Sequence, residues 1–141
     1  MIGVSGSTPS KDLIAENSAI LAGFADRGVD LNQKLEFEFS VEFSSKDQAK
    51  EFRSIAREAM NRIKAEFGLK DFLFILCNYE DEGCFELKCC VETTPDVRLI
   101  STIEQTLGAL AAERGGSDCF WEFPDPANNE VPTESGQEVG Q

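Results

Sequence analysis

The sequence predicts an α+β domain with the order β-α-β-β-α-β, preceded by one extra helix. This is a ferredoxin-like split arrangement, with two helices on one face of a four-stranded antiparallel sheet. Three observations carry the prediction. Residues 35–43, Leu-Glu-Phe-Glu-Phe-Ser-Val-Glu-Phe, alternate apolar and polar without a break. Two amphipathic helical stripes each lie between strand-like runs. The chain has 141 residues, which suits one domain with its own core.

The first helix is expected to start at Ser10 as N-cap, with Asp12 in its first turn and Leu13, Ile20, Leu21 and Phe24 on its apolar side. Gly28 stops it near Arg27, and Val29 to Lys34 connect onward. The alternation over 35–43 then reads as a strand with one buried and one wet face. Ser45-Lys-Asp-Gln48 matches a capping box. Ala49, Phe52, Ala56, Ala59, Ile63 and Phe67 follow at helical spacing, and Gly68 ends that helix.

The apolar run Phe72–Cys77 reads as a second strand, entering a hairpin whose loop holds Gly83. Phe85, Leu87, Cys89, Val91 and Thr93 alternate with Cys84, Glu86, Lys88, Cys90 and Glu92 on the return strand. Thr94-Pro95 is expected to open a helix with Pro at its first position. Leu99, Ile100, Ile103, Leu107, Leu110 and Ala111 form its stripe, and Gly115-Gly116 cap it. The last strand is expected over Asp118–Phe123, with Cys119, Trp121 and Phe123 on one face. The domain is therefore 11–123. Residues 1–10, rich in Gly, Ser, Thr and Pro, and the acidic tail 124–141 are expected to be disordered.

Charge narrows the function. The chain has 26 acidic and 13 basic residues and a net charge of −13. Such a surface repels phosphate backbones and anionic membranes and attracts basic partners. There is no histidine, which removes the usual general base and the Ser-His and Cys-His pairs. The reading is of a protein that is not an enzyme and needs no cofactor. The sequence shows no run of 18 apolar residues and no secretory signal, so the expected location is the cytoplasm, with the five cysteines reduced.

No Cys-x2-Cys pair supports a metal site. Cys77 and Cys89 are expected as small core residues, and Cys90, on the wetter face, as the reactive thiol. Glu80-Asp81-Glu82 reads as a solvated turn, since it lacks the alternating oxygen ligands of a calcium loop. Neither a Gly-x-Gly-x-x-Gly nor a Walker motif is present.

Parity along the strands defines the candidate site. If the odd residues of 35–43 face the helices, the open sheet face carries Glu36, Glu38 and Glu42. The third strand adds Glu86, Lys88 and Glu92, and the fourth adds Asp118, Phe120 and Glu122. The expected partner-binding residues are thus Glu36, Glu38, Glu42, Glu86, Glu92, Asp118, Phe120 and Glu122. Phe120 is the exposed aromatic and Trp121 its core-facing neighbour.

In its order of features the sequence resembles the family of regulators of ribonuclease E activity B, the RraB-like proteins. The features are Asn17 in a leading helix and Gly28-Val-Asp-Leu31, then Val41-Glu-Phe43 and Asp47-Gln-Ala-Lys-Glu-Phe52. They end in a Leu- and Ala-rich helix, Ile103 to Gly115-Gly116-Ser-Asp118. The family tends to follow with Tyr-Asp-Gly-Trp; here stands Ser117-Asp-Cys-Phe120, with Trp121 one place later. The resemblance implies a non-catalytic protein that inhibits a ribonuclease E-like enzyme by protein contact. The same composition also suits an immunity-type inhibitor of another basic protein. A ligand-sensing or oligomerising ferredoxin-like domain fits as well.

Overall fold

The computed structural model describes residues 9–123, except for the side chain of Glu80. The expectations for residues 1–8 and 124–141 lie outside the described residues. Three helices and a four-stranded sheet follow in the order α1 (Lys11–Asp26), β1 (Leu35–Phe43), α2 (Lys46–Phe67), β2 (Leu73–Tyr79), β3 (Cys84–Thr93), α3 (Val97–Ala112) and β4 (Phe120–Glu122). A 3-10 turn, Glu80–Glu82, joins β2 to β3. The sheet order is β2-β3-β1-β4, and every neighbouring pair is antiparallel. This is the expected mixed α+β class with an antiparallel sheet.

The helix ends follow local chemistry. The Ser10 hydroxyl accepts the Leu13 N–H at 3.1 Å, and the Ser45 hydroxyl accepts that of Gln48 at 3.3 Å. Each satisfies one of the orphan donors of a first turn. The capping box at Ser45 is only half built. The Gln48 side chain turns away and donates to the Arg114 carbonyl at 3.1 Å, tying the start of α2 to the end of α3. Gly68 ends α2 in the left-handed region, at φ +72°.

α3 departs from expectation at its start. Asp96, not Thr94, is the N-cap, and its carboxylate accepts the N–H groups of Arg98 (2.9 Å) and Leu99 (3.3 Å). Pro95 therefore precedes the cap instead of opening the helix. A carboxylate that takes two first-turn donors outcompetes a proline whose advantage is only a preset φ. At the other end Gly115 takes φ +78°. Gly116 acts by size, because a Cβ there would lie 2.6 Å from the Phe43 ring and 3.0 Å from the Ala111 methyl.

The core lies between the sheet and the helices. Leu35, Phe37, Phe39, Val41 and Phe43 of β1 are all buried against Phe52, Met60 and Ile63 of α2 and Ile100, Ile103 and Leu107 of α3. Phe37 is the aromatic centre, with ring centroids 6.5 Å from Phe39, 5.7 Å from Trp121 and 5.3 Å from Phe123.

α1 extends the helical layer. It packs on α3, and Phe24 meets Phe123 at 4.5 Å. Only Asn17 and Leu21 of this helix are buried. Ile20, expected on the apolar side, is 41% exposed, because α1 touches the rest of the domain along a narrow line. Asn17 fixes that line. Its Nδ2 donates to Ser101 Oγ and to Glu104 Oε1, each at 3.0 Å, and its Oδ1 accepts the Trp121 indole N–H at 3.0 Å. One amide thus joins α1, α3 and β4.

Candidate protein-binding face

Register settles which side chains share the uncovered face. Paired residues in an antiparallel ladder lie on the same side. Glu36, Glu38, Ser40 and Glu42 of β1 stand opposite Glu92, Cys90, Lys88 and Glu86 of β3. On the far side Glu38 stands opposite Glu122 and Ser40 opposite Phe120. β2 completes the face with Leu73, Ile75, Cys77 and Tyr79, opposite Cys90, Lys88, Glu86 and Cys84. Among the described residues no helix covers this side.

Three glutamate pairs sit directly across from one another here: Glu36 with Glu92, Glu42 with Glu86, and Glu38 with Glu122. Like charges directly opposite in a sheet are destabilising. Lys88 is the one cation at the paired positions of this face, and it reaches Glu38 at 3.4 Å. Burial alone would lower the Lys88 pKa, but the Glu38 and Glu86 carboxylates outweigh it and raise the value.

The expected contact residues therefore differ in availability. Glu36, Glu42, Glu92, Glu122 and Phe120 are exposed, Phe120 by 45%. Glu38 is half-buried and engaged by Lys88. Glu86 lies on this face but is buried, and its carboxylate accepts the Tyr79 hydroxyl at 3.2 Å. Desolvation, then the neighbouring Cys77 and Glu86, push the Tyr79 pKa upward.

Asp118 is exposed but lies outside the ladder, since β4 begins at Phe120 and not at Asp118. Ser117 makes the preceding contact with β1. Its N–H donates to the Glu42 carbonyl and its hydroxyl accepts the Glu42 N–H, both at 2.9 Å. A side-chain hydroxyl thus accepts the Glu42 N–H just ahead of the ladder. Trp121 faces the helices, as its parity implies, and remains half-buried.

Two cysteine expectations are corrected. Cys77 is buried, but on the uncovered face among Tyr79, Glu86 and Lys88 and not in the main core. Phe72–Cys77 is almost wholly apolar, so the sequence offered no alternation from which to fix its parity. Cys90 is on the expected face, yet it is 6% exposed. Burial first, then Glu38 and Glu36, raise its pKa to about 11, so it is a poor nucleophile at neutral pH. Cys89 is a core residue as expected.

Leu73, Ile75 and Tyr79 also belong to this face, which the almost wholly apolar run of β2 does not reveal in the sequence. Leu73 is 52% and Tyr79 38% exposed. Their signal was indirect: the residues opposite them on β3 carry the clear alternation. Among the described residues no group of three or more His, Cys, Asp or Glu side chains is placed to hold a metal. No helix among the described residues is long and apolar enough to cross a membrane.

Fold and face together define a small acidic α+β protein in which no described helix covers one side of the sheet. The family model for the regulator of ribonuclease activity B, RraB, matches residues 14–122. The chain belongs to that family. Neither a curated protein nor a solved structure matches it.

Proposed function

We propose that this protein is a non-catalytic cytoplasmic regulator that binds a ribonuclease E-like enzyme through its acidic sheet face and restrains it. The family match supports a ribonuclease as the target. The observation that carries the mode of binding is the set of three directly opposed glutamate pairs. The free protein bears that repulsion, and a cationic surface laid on the face relieves it. Steering by a net charge of −13 speeds the encounter with a basic region. The same charge opposes direct binding of RNA, so the regulator acts on the enzyme and not on its substrate. The order β2-β3-β1-β4, with two β-α-β units, supports reading the fold as ferredoxin-like.

Glu36, Glu42, Glu92, Glu122 and Phe120 make the principal contacts in this reading, with Glu38, Glu86 and Asp118 contributing charge. The test is to titrate the purified protein into RNA cleavage by a ribonuclease E-like enzyme at low and high salt. Slower cleavage that salt relieves, and that Glu36→Gln with Glu92→Gln weakens, supports the reading. An unchanged cleavage rate with no binding at low salt sinks it.

A further inference from the structure

The two edges of the sheet are managed differently. β4 has three residues, and the neighbouring Phe123 is packed against α1. β2 has seven, Leu-Phe-Ile-Leu-Cys-Asn-Tyr, and among the described residues pairs on one side only, with β3. Free edges are usually blunted by charge, proline or a covering element. β2 contains no charged residue and no proline. Leu73 and Tyr79 stand exposed at its two ends, on the acidic side of the sheet.

Acidic side chains surround both ends of this strand. A hollow of about 350 Å³ at its start is lined by Phe72, Leu73 and Cys90 together with Glu36, Asp71 and Glu92. Another of about 360 Å³ at its end is lined by Asn78, Tyr79, Asp81 and Glu82. Seven strand residues span roughly 23 Å, the reach of a short extended peptide.

We propose that the free edge of β2 takes up a basic, extended segment of the partner protein, which joins the sheet as a fifth strand. This rests on the reading of the acidic face as the partner's docking surface and specifies how the partner engages it. Main-chain hydrogen bonds to β2 supply the affinity, and alternate side chains of the segment lie on the acidic face. An arginine or lysine there lays its methylene stem over Leu73, Ile75 or Tyr79 and carries its charge to the carboxylates beyond.

Charge decides against a second copy of this chain. Two copies paired through β2 would join two glutamate-bearing faces into one continuous surface, each copy bringing a net charge of −13.

The test uses the full chain, isotope-labelled, with a synthetic peptide that alternates arginine and valine. A second version of the peptide is N-methylated at alternate amides along one edge. The expected result is slowed hydrogen exchange at β2 amides when the first peptide binds. The methylated peptide and the Leu73→Lys variant should each lower affinity by roughly tenfold or more, with the variant's thermal midpoint unchanged. Equal binding of both peptides, or protection confined to β4 or the helices, overturns the proposal. So does a concentration-dependent dimer that Leu73→Lys abolishes, because the occupant is then a second copy.

The two readings fail separately. If Leu73→Lys restrains the ribonuclease as well as the parent while Glu36→Gln with Glu92→Gln does not, the edge proposal falls and the regulator reading stands. If the peptide protects β2 but no ribonuclease is restrained, the edge proposal stands and the regulator reading falls.

Discussion

The two faces of β1 solve opposite problems with alternate residues of one nine-residue strand. Leu35, Phe37, Phe39, Val41 and Phe43 are buried beneath the helices, while Glu36, Glu38 and Glu42 oppose other glutamates on the far side. The first face is organised for stability, by close-packed rings. The second carries repulsion that packing on the first must offset. On the proposed reading, a strand that serves both purposes separates fold from binding by parity. Substitutions on one face should change stability, and those on the other should change binding.

The sharpest break of that comparison is Phe37→Ala against Phe120→Ala. Phe37 is fully buried among three aromatic rings, so truncation should cost ~3–5 kcal/mol. Phe120 is 45% exposed on the acidic side and its truncation should cost under about 1 kcal/mol. Urea denaturation of both variants measures the gap. Equal losses would show that the acidic face also carries the fold. Next in size is Gly116→Ala. Its new methyl would meet the Phe43 ring, and shifting a packed ring should cost about 1–3 kcal/mol by the same measurement.

Much of this division was legible in the sequence, because a strict period of 2 over nine residues fixes parity whatever the strand's neighbours are. The capping serine Ser45 and the stop at Gly68 were legible for similar local reasons. Part of what escaped depends on residues far apart in the chain. Asn17 appeared only as one feature of a family resemblance, yet it bonds to Ser101, Glu104 and Trp121, whose separations in sequence are 84, 87 and 104. The face of β2 was unreadable because both of its sides are apolar. The burial of Glu86 was unreadable because it depends on Tyr79 across the hairpin.

The Asn17 junction gives the third prediction. Asn17→Leu fits a similar volume but strands the Trp121 N–H and the Ser101 and Glu104 oxygens, for a loss of about 1–3 kcal/mol. It also has a pH signature. Burial, as the largest influence, raises the Glu104 pKa above its ordinary 4.5, against the hydrogen bond from Asn17. The folded state therefore holds this proton more tightly than the unfolded one. Stability from this group is full below the ordinary value and declines as pH rises through the raised one. Glu104→Gln keeps an amide oxygen for Asn17 and should flatten that decline. Thermal midpoints from pH 4 upward, compared with the parent, measure it.

The smallest expected effect is the most informative about the acidic face. Glu36 and Glu92 are exposed and directly opposed, so Glu92→Lys exchanges a like-charge pair for an opposite-charge one. The folded protein should gain about 0.2–1 kcal/mol. Strong salt should erase most of that gain, since the pair is solvent-screened. The same change removes one carboxylate from the proposed docking face and adds a cation there, so affinity for a basic segment should fall even as stability rises. Denaturation and binding titrations on the one variant separate the two effects. A rise in stability with undiminished binding would locate the partner elsewhere on the surface. A fall in both would mean that the Glu36–Glu92 corner is held by contacts other than its charges, and the opposed glutamates would then say nothing about a partner.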